Sequence, residues 1–149
     1  MEKDKQLIVN AFQTPDGTII ESRHRHDYVT HLDKNGLEYM TDGGTDYVRC
    51  SVNPTSPAKS LCVYEDDDFE LIRTSFKRGS RGINGDEPLT YVPLSEMNDN
   101  WLQATIDYIG DERVGNYNIP LCLNPNNVIA HLYVREQKYR KANNIIINE

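Results

Sequence analysis

The stretch GTIIESRHRHDYVTHLDKNGLEYMTDGGTDYVRC, residues 17–50, decides the fold of this chain. It holds three of the four histidines and four of the nine glycines. Within it, Asp33-Lys34-Asn35-Gly36 separates Tyr28-Val29-Thr30-His31-Leu32 from Leu37-Glu38-Tyr39-Met40-Thr41. Asn-Gly between alternating runs predicts a β-hairpin, because the tight turns that match strand twist need positive φ. Asp42-Gly43-Gly44 predicts a second tight turn into a strand at 45–52. Upstream, Thr14-Pro15-Asp16-Gly17 predicts a turn after a first strand at 7–12, with Pro15 presetting its φ and Gly17 relaxing it. Period-2 alternation puts Tyr28, Thr30 and Leu32 on one face and Val29 and His31 on the other. In the next strand Leu37, Tyr39 and Thr41 oppose Glu38 and Met40. Neither face is purely apolar, so one is expected on the core and the other toward a partner or ligand.

Outward from this stretch, residues 52–60 form a loop with two prolines, and 61–64 a short strand or the end of that loop. The acids Glu65-Asp66-Asp67-Asp68 suit the positive start of a helix, and Phe69, Leu71, Ile72, Ser75 and Phe76 supply its apolar stripe. Residues 78–85 are expected to end that helix and lead into an edge strand at 88–93, marked by its prolines. Ser95 is a candidate N-cap for a helix reaching about Ile109, closed by Gly110. Asn124-Pro125 predicts the start of a third helix with Val128, Ile129, Leu132 and Tyr139 near one face. The apolar tail 145–147 is expected to pack on a neighbour or on the sheet. The predicted class is α+β: an antiparallel β-meander of about four to five strands with about three helices, the last in oligomer contacts. By length the 149 residues make one domain, mainly β over 7–64, helix-strand-helix over 66–109 and helical over 124–142.

Composition narrows the function. The net charge is −7, which argues against a general DNA or RNA binder, since these carry a basic footprint. A hydrophobic share of 38% and a mean hydropathy of −0.67 leave a modest core, and a tyrosine-rich polar chain of this size is expected to oligomerise. No apolar run approaches the ~20 residues of a membrane span. The N-terminus lacks the apolar segment of a signal peptide. Cys50, Cys62 and Cys122 are an odd number without CxxC spacing, as expected of reduced, partly buried thiols in a cytoplasm.

Three constellations carry the chemistry. Arg23-His24-Arg25-His26-Asp27, taken as a strand, would set Arg23, Arg25 and Asp27 on one face and His24 and His26 on the other. Two histidines so spaced can ligate zinc with His31 or Asp27, but no Cys-His spacing supports a metal, and a hydrogen-bonded polar strand end is the plainer expectation. The acidic run 65–68 lacks the glycine and spaced glutamate of a calcium loop. Arg73, Lys77, Arg78 and Arg81 cluster without an acid, and Gly79 and Gly82 leave backbone N–H groups open. Guanidinium forks and free amides suit phosphate, although the P-loop pattern is missing and cations also complement a helix C-terminus. Tyr28, Tyr39, Tyr47, Tyr64, Tyr91 and Trp101 offer faces on which a base would stack at roughly 1–3 kcal/mol each, or ordinary half-buried filling. No nucleophile-base motif, HExxH or dinucleotide fingerprint is present, so neither catalysis nor a cofactor is predicted.

Thr14-Pro15-Asp16-Gly17-Thr18, Ser22-Arg23-His24-Arg25-His26-Asp27-Tyr28, Asn35-Gly36, Tyr39, Asp42-Gly43-Gly44, Asp46-Tyr47 and Arg49 resemble a widespread family of small bacteriophage proteins. Residues 69–73, Gly79-Ser80-Arg81-Gly82, Gly85 and Pro88-Leu89 resemble its second block. The likeness spans about residues 8 to 105. That family is associated with anti-CBASS sponges, which form tetramers and sequester cyclic dinucleotides such as cyclic GMP-AMP without cleaving them, in the cytoplasm of the infected bacterium. A sponge for the cyclic ADP-ribose signals of the Thoeris system is a related possibility. The family often has an aromatic residue where this chain has Arg78, which puts ligand choice at that position in question.

Such a ligand needs cations for its phosphates and aromatic faces for its bases. The expected ligand residues are therefore Arg23, Arg25, Arg49, Arg78 and Arg81 for phosphate, and Tyr28, Tyr47 and Trp101 for stacking. Asp27 and Asn84 would read a base edge, and His26 would give polar support. The alternatives are a phosphodiesterase using His24, His26 and Asp27, and an acidic inhibitor of a host protein using residues 65–68.

Overall fold

The computed structural model describes residues 5–82, 84–111 and 127–148. The chain divides into two compact units, Met1–Ile72 and Arg73–Glu149.

In the first unit, strand β1 (Leu7–Gln13) is buried over five consecutive residues, not on alternate ones. Such a continuous buried run belongs to a strand covered on both faces. It is central: β2 (Ile19–Ser22) pairs with it on one side, and β6 (Lys59–Ser60) and β7 (Val63–Tyr64) on the other, all antiparallel. The β1–β2 turn forms where Pro15 and Gly17 predict it, Gly17 at φ +91°. His31 Nε2 lies 2.8 Å from the Asp16 carboxylate, tying this turn to the next sheet. The Thr14 hydroxyl and then His31 hold the Asp16 carboxyl well below the usual carboxylate range.

A second sheet comprises β3 (Val29–Leu32), β4 (Glu38–Asp42) and β5 (Arg49–Cys50). Its hairpin pairs His31 with Tyr39 and Val29 with Thr41. Tyr39 and Thr41 are buried while Leu32 is exposed, so Val29, His31, Tyr39 and Thr41 form the inward face. The α+β class and the antiparallel pairing hold. The meander is interrupted, however, because β2 and β3 do not pair and the strands fall into three small sheets.

Helix α1 (Phe69–Ser75) is shorter than its apolar stripe, and the chain divides within it. In the second unit Lys77 and Arg78 do not lie at a helix C-terminus. They lie on β8 (Lys77–Ser80), which pairs with β9 (Thr90–Pro93). Backbone bonding to the proline-marked strand outweighs continuation of the helix, and Leu94 N–H donates to Phe76 C=O at 2.8 Å.

Ser95 lies inside a short 3₁₀ turn, Leu94–Glu96, that Met97 breaks by going extended. Asn98 therefore caps α2 (Asp99–Ile109), accepting from Trp101 N–H at 2.8 Å. The predicted opening of the third helix at Asn124-Pro125 lies outside the described residues. Helix α3 (Val128–Asn143) is capped by Asn127 and ends at Asn144 in the left-handed region, φ 57°. The tail after α3 runs beside the start of α2, where Asp99 N–H donates to Ile147 C=O at 2.7 Å. No described helix is long and apolar enough to cross a membrane.

Candidate functional site

Asn10 is the one polar residue within the buried run of β1, only 1% exposed. Its amide donates to the carbonyls of Asp42 (2.9 Å), Gly44 (3.0 Å) and Tyr47 (3.3 Å), and its Oδ1 accepts from the Thr41 hydroxyl at 2.5 Å. A strand in the core thus fixes the loop between β4 and β5. Nothing in the sequence marked this residue except its place in an otherwise apolar strand.

Ser22, also buried, joins that loop to the one before it. Its hydroxyl donates to the Asp27 carbonyl at 2.6 Å and accepts from Gly44 N–H at 2.9 Å. The run 23–27 is consequently a turn and not the strand that alternation suggested. Asp27 closes it twice, its N–H donating to His24 C=O and its carboxylate accepting from Arg23 N–H, both at 2.9 Å. His24 Nδ1 accepts from His26 N–H at 3.3 Å. The strand alternation that would set His24 and His26 together on the face opposite Arg23, Arg25 and Asp27 is therefore absent. A local carboxylate that satisfies backbone donors outweighs strand propensity here.

The two loops touch closely enough to demand glycine. At Gly44, φ +55°, a β-carbon would lie 2.3 Å from the His24 carbonyl carbon of the other loop; at Gly43, φ +100°, it would lie 2.1 Å from the Tyr47 carbonyl oxygen within its own loop.

The surface of this double loop carries Arg23, His24, Arg25, His26, Tyr28, Tyr47 and Arg49, all exposed, with Asp27 half-buried beneath. Tyr28 is 55% and Tyr47 45% exposed, so both rings have free area. Arg25 meets Asp46 at 3.7 Å and Arg23 meets Glu21 at 3.4 Å. The Arg25 pair is solvated and weak, and it opens readily to a ligand anion. The arrangement supplies forks, flat rings and polar edges on a rigid base, which is chemistry suited to binding a nucleotide. Among the described residues no three of His, Cys, Asp and Glu form a metal-binding group.

Arg78, Arg81 and Trp101 belong to the second unit. Arg81 is exposed, its carbonyl accepting from Glu87 N–H at 2.9 Å. Trp101 is half-buried in the first turn of α2. Arg73, grouped with these cations by sequence, instead forms a buried ion pair with Glu136, with Nε–Oε1 2.7 Å and the second nitrogen 2.9 Å from Oε2. A cavity of about 170 Å³ in the first unit is lined by Phe12, Ile20, Met40, Cys50 and Val52, among others, and none of the predicted ligand residues reaches it.

Comparison with protein-family models, with curated proteins and with solved structures finds no match for this chain.

Proposed function

We propose that this protein binds and sequesters a cyclic dinucleotide of the cyclic GMP-AMP type, without cleaving it, and so blocks CBASS effector activation in a phage-infected bacterium. The observation that carries the proposal is the pairing of the two loops. The segments Ser22–Tyr28 and Asp42–Arg49, which hold the most distinctive residues of the phage-family resemblance, are hydrogen-bonded to each other through Ser22 and Gly44. In this proposal Arg23, Arg25 and Arg49 take phosphate, Tyr28 and Tyr47 stack on a base, and Asp27 and His26 give polar contacts. Arg78, Arg81, Asn84 and Trp101, on the second unit, are further candidate ligand residues, and assembly is a homotetramer, whose two-fold axes suit a pseudo-symmetric ligand.

The test is thermal denaturation of the purified protein against cyclic dinucleotides and cyclic ADP-ribose isomers. Ligand at 100 times its Kd adds about 2.7 kcal/mol, seen as a shift of several degrees. Intact nucleotide recovered after boiling identifies a sponge, whereas cleaved nucleotide identifies a phosphodiesterase. A shift confined to cyclic ADP-ribose isomers reassigns the ligand to Thoeris signals, and no shift with any nucleotide removes the proposal. Arg25→Ala and Arg81→Ala should each weaken binding about tenfold or more, the loss of one charge-assisted contact, with the melting temperature of the free protein unchanged.

A further inference from the structure

Arg23 pairs with Glu21, Arg25 with Asp46, and Arg73 and Arg140 with Glu136. Arg78 has no carboxylate partner among the described residues. It is half-buried on β8, its guanidinium carbon 5.4 Å from the ring centre of Tyr133 on α3. Phe76, just before β8, meets that ring edge-on at 5.9 Å. Arg78 Nε is sealed from solvent and has no acceptor. A guanidinium does not shed its proton. Partial removal from water without a counter-charge is therefore unfavourable, and an aromatic face offsets only part of this.

The Tyr133 hydroxyl completes the picture. Burial, only partly opposed by Arg78, pushes its ionisation up, so it keeps its proton. It accepts from Arg78 Nη1 at 3.4 Å, and its own O–H has no acceptor among the described residues. A cation with no anion and a hydroxyl with no acceptor among the described residues thus sit side by side.

We infer that Arg78 and Tyr133 form a seat for a phosphoryl oxyanion, held by the outer nitrogens of the guanidinium and by the tyrosine O–H. The seat rests on the sponge proposal only for the identity of the molecule carrying the phosphoryl group; a free phosphate and a nucleotide phosphodiester present the same oxygens.

The experiment titrates the full chain and each variant at constant ionic strength with sodium pyrophosphate and, separately, with cyclic GMP-AMP, following the arginine Nε–Hε resonances and the heat of binding by calorimetry, with sodium chloride as control. The expected result is a saturable shift of the Arg78 resonance that chloride does not produce. Tyr133→Phe should weaken pyrophosphate binding about tenfold, the size of one hydrogen bond to a charged group. Arg78→Met should abolish the binding, and in chloride it should melt above the wild type, because it removes an uncompensated charge. If Arg78→Met does not fold, Arg78→Lys, which retains charge without the fork, should show weakened binding in its place.

Absence of any saturable response to both anions overturns the seat, and so does an undiminished response in Arg78→Met. Pyrophosphate binding without nucleotide binding keeps the seat and removes the sponge proposal. Nucleotide binding that survives Arg78→Met, with no response to pyrophosphate, removes the seat and keeps the sponge.

Discussion

Gly44 is where a single atom decides the site. A methyl group there would meet the His24 carbonyl carbon at 2.3 Å, and the position already has φ +55°. The atom it would strike is backbone, which cannot rotate away as a flexible side chain can. Gly44→Ala should therefore destabilise the protein by about 1–3 kcal/mol and separate the two loops. Urea denaturation checks the first effect and nucleotide affinity the second. A variant with wild-type stability would show that the loops are not packed as described. At this scale the sequence displayed the glycine pair and the turn it makes. It did not display Asn10 and Ser22 as the side chains that bind the loops together, because each does so through partners distant in the chain: Asn10 reaches Asp42, Gly44 and Tyr47, and Ser22 reaches Gly44.

Helix α3 shows how an element can be found correctly and its buried face missed. Its apolar positions suggested Val128, Ile129, Leu132 and Tyr139, yet the buried residues are Ala130, Leu132, Tyr133, Glu136 and Arg140. Glu136 is fully buried, and both its oxygens are engaged by Arg73 and Arg140 at 2.7–2.9 Å. Arg140 is then completed by Asp99 and by the Leu94 carbonyl, each at 2.9 Å. Hydrophobic periodicity cannot find such a face, because two of its central members are charged. Removing one partner from a buried network leaves the others uncompensated, so Glu136→Gln should lose roughly 3–5 kcal/mol. Lys138→Gln on the same helix, away from the network, should change stability by less than about 0.5 kcal/mol. Equal effects in denaturant melts would show that Glu136 is not the centre of the network.

For the whole molecule, charge and site work against each other. The chain carries −7 overall and the proposed ligand is an anion, so at low salt the general field repels what the local arginines attract. Screening acts over about 8 Å at 0.15 M salt and weakens the distant repulsion more than the short contacts. The association rate should therefore rise with salt over the dilute range while the dissociation rate also rises. Stopped-flow binding between about 10 and 150 mM salt measures both. An association rate that falls steadily with salt would mean that the ligand meets a local positive field instead.

What the sequence determined by itself is local. It specified the Asn35-Gly36 hairpin, the turns at Pro15-Asp16-Gly17 and Asp42-Gly43-Gly44, which side chains of β4 share a face, and three helices. Each of these depends on neighbours a few residues apart, through φ preferences, alternation and caps. The tertiary structure alone decided that residues 23–27 form a turn, that residues 77–80 form a strand and not a helix end, and that Arg73 is buried while Arg78 has no counter-charge among the described residues. Those outcomes depend on which distant group supplies a hydrogen bond or a charge: Gly44 for Ser22, the strand Thr90–Pro93 for residues 77–80, and Glu136 for Arg73. Local preferences differ by less than a kilocalorie or so, and a single buried polar contact outweighs them.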